Sequence, residues 1–322
     1  MGPDRVVILA RHGDRTPYIP SEKWRLFWLQ KLPNKKMLKN LKIPREVDLL
    51  DEPIFGRLTY KGIKDISKIG VELKTTYPNV VENNPRFYST FYERTIRSAL
   101  VTSLFSCPSC PSEIRYFPRT HDPLDPWYSH PEYQVLVNNY RTKNDQHRYH
   151  MDRTRKIRTE IHSLLVEFTN NRDYSWFPIY DMIVCGEAHD APYMSQIQSY
   201  KIMIQQSAEE EFRLLFSDEE IRKIAAGPFL NATGRLFSDF YFGKPLISKQ
   251  SRLEFRTEGA FHYISAHDLN IIPVREALSW GNKTWPGYGE SLKFELFQDV
   301  VMISDSRLRC SMDLQEFLKL CT

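Results

Sequence analysis

The sequence predicts an α/β protein: a mainly parallel sheet with flanking helices, interrupted by an inserted all-α domain. Two observations carry this. The first hundred residues read strand, helix, helix, strand, helix, the order of a parallel sheet with helical crossovers. The middle of the chain then loses its strand signal, which returns only at Ala260–Ser265 and Ser291–Phe297. The expected organisation is a discontinuous α/β domain over residues 1–115 and 255–322, with residues 116–254 as a helical insertion at a pocket mouth.

The elements follow in order. Arg5–Ala10 is rich in β-branched residues and ends at a polar turn containing glycine, which marks a short buried strand. Ser21–Lys31 places Trp24, Leu26, Phe27 and Trp28 at helix-like spacing. Thr59 is an N-cap candidate for a helix with Ile63, Ile66, Ile69 and Leu73 on its apolar face, ended by Tyr77-Pro78. Arg86–Thr90 is a second strand. Thr90-Phe91-Tyr92-Glu93 has the capping-box pattern and opens a helix burying Ile96, Ala99, Leu100 and Leu104. In the insertion, Ile157, Ile161, Leu164, Leu165 and Phe168 repeat at helical spacing, and Ser195–Ala208 and Asp218–Thr233 also read as helices.

Composition sets bounds. The 322 residues are 41% hydrophobic and 26% charged, which is ordinary globular usage and excludes a wholly disordered or collagen-like chain. The longest clean apolar run, Val6–Ala10, is far short of the roughly 20 residues that span a bilayer. Met1-Gly2-Pro3-Asp4 leads straight into that run, so any secretory signal is expected to have been trimmed. Net charge is 44 − 40 = +4, too mild to imply a nucleic-acid partner. Cys107-Pro-Ser-Cys110 has zinc or redox spacing but lacks a second ligand pair, so no metal is expected. Cys310 and Cys321 are candidates for pairing in an oxidising lumen. The sequons Asn231-Ala232-Thr233 and Asn282-Lys283-Thr284 fit a glycoprotein of the secretory pathway, lumenal or extracellular. His147-x-x-His150 has no evident third ligand. Arg153, Arg155, Lys156 and Arg158, and the six basic residues without an acid from Lys31 to Arg45, read as solvated surface, with a sharper reading as a rim that attracts anions.

Chemistry concentrates in two places. Arg11-His12-Gly13-Asp14-Arg15-Thr16-Pro17 directly follows the first strand, and strand carboxyl ends are where open α/β sheets bind ligands. Two guanidiniums match phosphate oxygens, Gly13 admits close backbone approach, and a neutral His12 nitrogen is a nucleophile for phosphorus. Five specified residues in seven arise by chance in about one chain in ten thousand, at ~5% per residue type. The second place is Ser265-Ala266-His267-Asp268, between a strand and a helix. There Asp268 can donate a proton to a leaving oxygen and His267 can hold a phosphate oxygen. His189-Asp190 is a decoy with a similar local pattern.

Together these motifs resemble the histidine acid phosphatases, branch 2 of the histidine phosphatase superfamily. Leu58-Thr59-x-x-Gly62, Ser89-Thr90-x-x-x-Arg94-Thr95, Tyr180-Asp181 through Cys185 and His189, and Phe294-Glu295-Leu296 follow in the family's order. Finer features of Ile8–Pro20, the lack of an arginine before Ser89, and Phe294–Asp299 are similar to the 2-phosphoxylose phosphatases of glycosaminoglycan-linkage synthesis. The resemblance implies a phosphohistidine on His12, charge neutralisation by Arg11 and Arg15 with help from His267, and proton transfer by Asp268. It implies no cofactor, an acidic optimum, and a small or sugar phosphate monoester as partner. It makes His189 a landmark outside the catalytic pair.

Two departures are expected to matter. Tyr88 stands where the resemblance calls for a phosphate-binding arginine. A phenol there would leave a weakened clamp, with Arg86 a lesser substitute and Arg94 keeping a separate role on its helix. The C-terminal part after Phe297 looks short enough to lack a strand. Both motivate an alternative, a pseudophosphatase that binds phosphate or sulfated ligands without turnover. A phosphoglycerate mutase-like transferase shares the Arg-His-Gly chemistry, but the long insertion argues against it.

Overall fold

The computed structural model describes residues 2–39, 41–50, 53–109, 113–169, 174–247 and 252–322. Cys110 lies outside them, so the Cys107-x-x-Cys110 reading is not followed further, although Cys107 is disulfide-bonded.

Seven strands form one sheet in the order β3-β2-β4-β1-β5-β6-β7. They are β1 (Arg5–Arg11), β2 (Arg86–Ser89), β3 (Ile114–Arg115), β4 (Phe261–Ala266), β5 (Ser291–Phe297), β6 (Val300–Ser304) and β7 (Arg309–Asp313). The first four run parallel, and β5 to β7 form an antiparallel meander beside β1. The alternation of side chains explains the continuous apolar run of β1. Val6, Ile8 and Ala10 pack with Phe87 and Ala99 on one face, whereas Val7 and Leu9 pack with Phe229 and Phe294 on the other. Both faces are covered, so the run Val6–Ala10 has no position left for a polar residue.

The missing-strand expectation at the C-terminus is overturned. Val300–Ser304 and Arg309–Asp313 are both strands, joined to β5 through a turn with Gln298 at positive φ. Asp313 then caps the final helix, Leu314–Leu320. The predicted helix Asp218–Thr233 is capped by Asp218 but runs as Glu219–Phe242, to a left-handed Gly243. Its second half buries Phe229, Leu236 and Phe237 in the sheet core, so this helix joins the two parts of the molecule. The other described residues between 116 and 247 are mainly helical, around a core that includes Trp176, Ile183 and Phe216.

Thr59 caps helix Tyr60–Thr76 as the sequence indicates, accepting from the Gly62 amide. The capping box at Thr90 does not form. The N-cap of helix Glu93–Ser106 is Tyr92, with no side-chain cap, and the Glu93 carboxylate instead accepts from the Leu58 amide and pairs with Arg97. Tertiary partners outcompete the local motif at that terminus.

Neither sequon is open to a glycan. Asn231 and Asn282 are buried, and their amide nitrogens donate to the Cys321 carbonyl and the Asp305 carboxylate. The glycoprotein expectation therefore fails for the folded chain. Cys310 and Cys321 are unpaired. His147 Nδ1 and His150 Nε2 bond to the carbonyls of Arg141 and Ser207, and no cluster of metal-ligating side chains occurs among the described residues. No helix of the described residues is long and apolar enough to cross a membrane.

Candidate active site

The parallel register builds the site. Arg11 pairs with Ala266 and Ser89 with Ser265, so the chain leaves β1, β4 and β2 at one level. His12, His267 and Thr90 are the next residues of the three strands. The amides of His12 and Thr90 bond back to the carbonyls of Ala266 and Ser265, at 3.0 and 3.2 Å. Two histidines far apart in sequence thus come together with ring centroids 5.4 Å apart.

The loop Arg11–Pro17 is held from below by packing that only glycine permits. A Cβ on Gly62 would lie 2.2 Å from the Asp14 carbonyl oxygen, and one on Gly13 would lie 2.8 Å from Ile66. The Gly13 amide donates to Ser98 Oγ at 3.0 Å. Asp14 is buried and turned away from the site. Its Oδ2 accepts from Thr59 Oγ1 and, at 2.6 Å, meets His189 Nε2. His189 packs edge-on against Trp28. The decoy histidine is therefore a brace between the helical part and the loop carrying His12.

His12 is fully enclosed. Its Nδ1 lies 2.8 Å from the Gly13 carbonyl oxygen, which can only accept, so Nδ1 carries the proton and Nε2 keeps its lone pair in the neutral ring. Burial, then the charges of Arg94, Arg15, His267 and Arg11, hold its pKa well below 6.5. The same causes keep His267 neutral, with burial and then Arg94 as the largest. Its Nε2 is 3.0 Å from Thr90 Oγ1.

Arg15 donates to Asp181 Oδ1 at 2.6 Å, which with neighbouring groups raises its pKa despite burial. Asp181 Oδ2 also accepts from the Tyr18 amide. Asp268 opens helix Asp268–Ala277. Its Oδ2 pairs with Arg11 Nη2 at 2.8 Å and accepts from Trp285 Nε1 at 3.0 Å, while Oδ1 accepts from the Leu269 amide. Arg11 donates its other terminal nitrogen to the Pro286 carbonyl and lies over the Tyr288 ring at 4.3 Å. It sits behind the imidazole and does not line the cavity.

That cavity, about 560 Å³, is lined at its floor by His12, Arg15, Arg94, His267 and Asp268. Arg94, in the first turn of helix Glu93–Ser106, projects over the Tyr92 ring at 4.4 Å. Arg119 lies over the same ring at 4.5 Å and bonds its hydroxyl, which in turn donates to Asp125.

Tyr88 is not part of this lining. It points onto the sheet face between Phe255 and His262, and its hydroxyl accepts from the Arg256 amide. The correction has a simple cause. Tyr88 lies within β2, where alternation sends its side chain into the core, while the residues that reach the cavity follow the strand end. Arg86 is at the opposite end of β2, near Glu258, and does not line the cavity either. The guanidinium that lines the cavity beside Arg15 on this side is that of Arg94. The basic segments 31–45 and 153–158 contribute nothing to the lining.

The family model for the histidine phosphatase superfamily (branch 2) matches residues 4–104. A lysophosphatidic acid phosphatase type 6 from Bos taurus is 22% identical over 330 residues, covering 91% of this chain and 73% of that protein. The phytase of Citrobacter braakii superposes with TM-score 0.62 at 14% identity, covering 100% of this chain and 97% of that one. The Hafnia alvei phytase in complex with myo-inositol hexakis sulphate gives 0.63 at 16% identity, covering 99% and 86%. The two phytases share the fold. The matched segment holds the motif loop Arg11–Pro17 and Arg94, and over it the chain is similar to the histidine phosphatase superfamily (branch 2).

Proposed function

We propose that the chain hydrolyses phosphate monoesters through a phosphohistidine on His12. The observation that carries this is the enclosed, neutral His12 ring, its Nε2 lone pair left free by the Nδ1 bond to Gly13, with Arg15 and Arg94 lining the same floor. Nε2 attacks phosphorus and the ester P–O bond breaks. The protonated Asp268 carboxyl gives its proton to the leaving alkoxide. Water then attacks phosphorus, the P–N bond breaks back onto His12, and the Asp268 carboxylate takes the water's proton. Arg15 and Arg94 bear on the equatorial oxygens, His267 supports them, and Arg11 orients Asp268 and adds charge behind the ring. Catalysis of this type is positioning plus charge stabilisation.

The test is phosphate release from p-nitrophenyl phosphate at mildly acidic pH, with acid-quench trapping of phosphoenzyme. Wild type should turn over and His12→Ala should do neither. Asp268→Asn should slow release most for alcohols of high pKa. The pseudophosphatase reading drew on Tyr88 and on the short C-terminal part; Arg94 in the lining and strands β6 and β7 weigh against both motives, and a folded wild type that releases nothing would restore it. A 2-phosphoxylose unit of a glycosaminoglycan linkage is the finer substrate reading from sequence, tested by a 2-phosphoxyloside against p-nitrophenyl phosphate. A secretory-pathway lumen is supported by the disulfide at Cys107.

A further inference from the structure

We propose that the cavity above His12 selects phosphate monoesters whose alcohol carries an extended apolar group. This rests on the hydrolase reading above and specifies its substrate class. The cavity has two unlike parts. Its floor holds the arginines and histidines. The other part of its lining is Trp127, Tyr133, Val137, Phe177, Phe212 and Phe216, side chains of the helical part that belong to or pack against one continuous apolar core. The size, about 560 Å³, is that of a site enclosing a whole small molecule, well beyond one phosphate.

The charges along this path are already engaged. Asp125 accepts from Tyr92 and faces Arg119, and Arg141 pairs with Glu211 at 3.8 Å. A polyanionic alcohol would meet apolar rings and the Asp125 carboxylate, with Arg119 and Arg141 already paired to acids. An alkyl or aryl group would lose water on both sides of the contact, which is favourable in proportion to area. Phe177 also stacks on Trp285, whose Nε1 bonds Asp268, so the wall reaches the proton donor itself. The apolar group therefore starts where the leaving oxygen departs.

The experiment measures kcat and KM for n-alkyl phosphates from ethyl to octyl, at monomeric concentrations, with p-nitrophenyl phosphate, glycerol phosphate and inositol hexakisphosphate alongside. Full burial of one methylene changes affinity about fourfold. The expected result is a fall in KM totalling on the order of tenfold or more from ethyl to octyl, with kcat nearly level, because uniform binding acts on KM. Inositol hexakisphosphate should be the poorest substrate. Trp127→Ala should reduce the octyl-to-ethyl ratio of kcat/KM. A flat chain-length series with good p-nitrophenyl phosphate turnover, or a preference for inositol hexakisphosphate or for the 2-phosphoxyloside over octyl phosphate, would overturn this inference alone. No turnover of any ester would instead overturn the hydrolase reading.

Discussion

Replacing Arg94 with alanine should be the most informative single perturbation of the floor. Arg94 is the first charge, after burial, in lowering the pKa of both His12 and His267, and it lines the same cavity, so its guanidinium can bear on a phosphoryl group held at His12. Removing one preorganised donor of this kind costs about 10²–10³ in kcat, or about 3–4 kcal/mol. A second effect is independent of the first. Without Arg94 the His12 pKa moves up toward 6.5, so the fraction of neutral nucleophile falls on the acid side. The acid limb of kcat/KM should shift to higher pH in Arg94→Ala, and Arg94→Lys should restore the limb while recovering only part of the rate. Steady-state kinetics on p-nitrophenyl phosphate from pH 4 to 8 reads both. The companion variant, Tyr88→Arg, would push a guanidinium between Phe255 and His262, so thermal stability should drop with no gain in turnover. Wild-type kcat in Arg94→Ala, or faster turnover in folded Tyr88→Arg, would refute the assignment.

Other outcomes are open to measurement. His189→Ala leaves the buried Asp14 carboxylate with one donor fewer, so stability should fall by about 1–3 kcal/mol and kcat with it; His189→Gln, which keeps a donor, should recover much of both by denaturant titration and kinetics. Asp122 is buried and its carboxyl pKa rises from 3.8 to about 7, so it favours the folded state fully below pH 3.8 and loses that contribution as pH rises through 7. The total is about 4 kcal/mol, and denaturant midpoints from pH 4 to 8 should decline less steeply in Asp122→Asn than in wild type. Peptide mass spectrometry of the folded protein, expressed through a secretory pathway, should find Asn231 and Asn282 unglycosylated, since both side chains are interior donors.

Local chemistry makes much of this protein legible from its residues in order. The β-branched run of β1, the Thr59 cap and the Arg11–Pro17 loop are short-range signals, and each is written within a handful of adjacent residues. The reading of His12 as nucleophile and of the His267-Asp268 pair follows from their position just past apolar strands. What adjacent residues do not contain is the direction of a side chain relative to distant elements. Tyr88 and Arg94 lie six positions apart, and only the parity of β2 and the start of the following helix decide that one enters the core and the other the cavity. The brace from His189 to Asp14, the anchoring of Arg15 by Asp181 and the failure of the Thr90 capping box join residues far apart in sequence. The same holds for the burial of both sequons and the apolar wall of the cavity that the arginines line. These contacts depend on packing among elements, which a linear pattern does not encode; the parallel register of β1 with β4 brings His12 to His267, and the helices over the sheet supply the apolar part of the cavity lining.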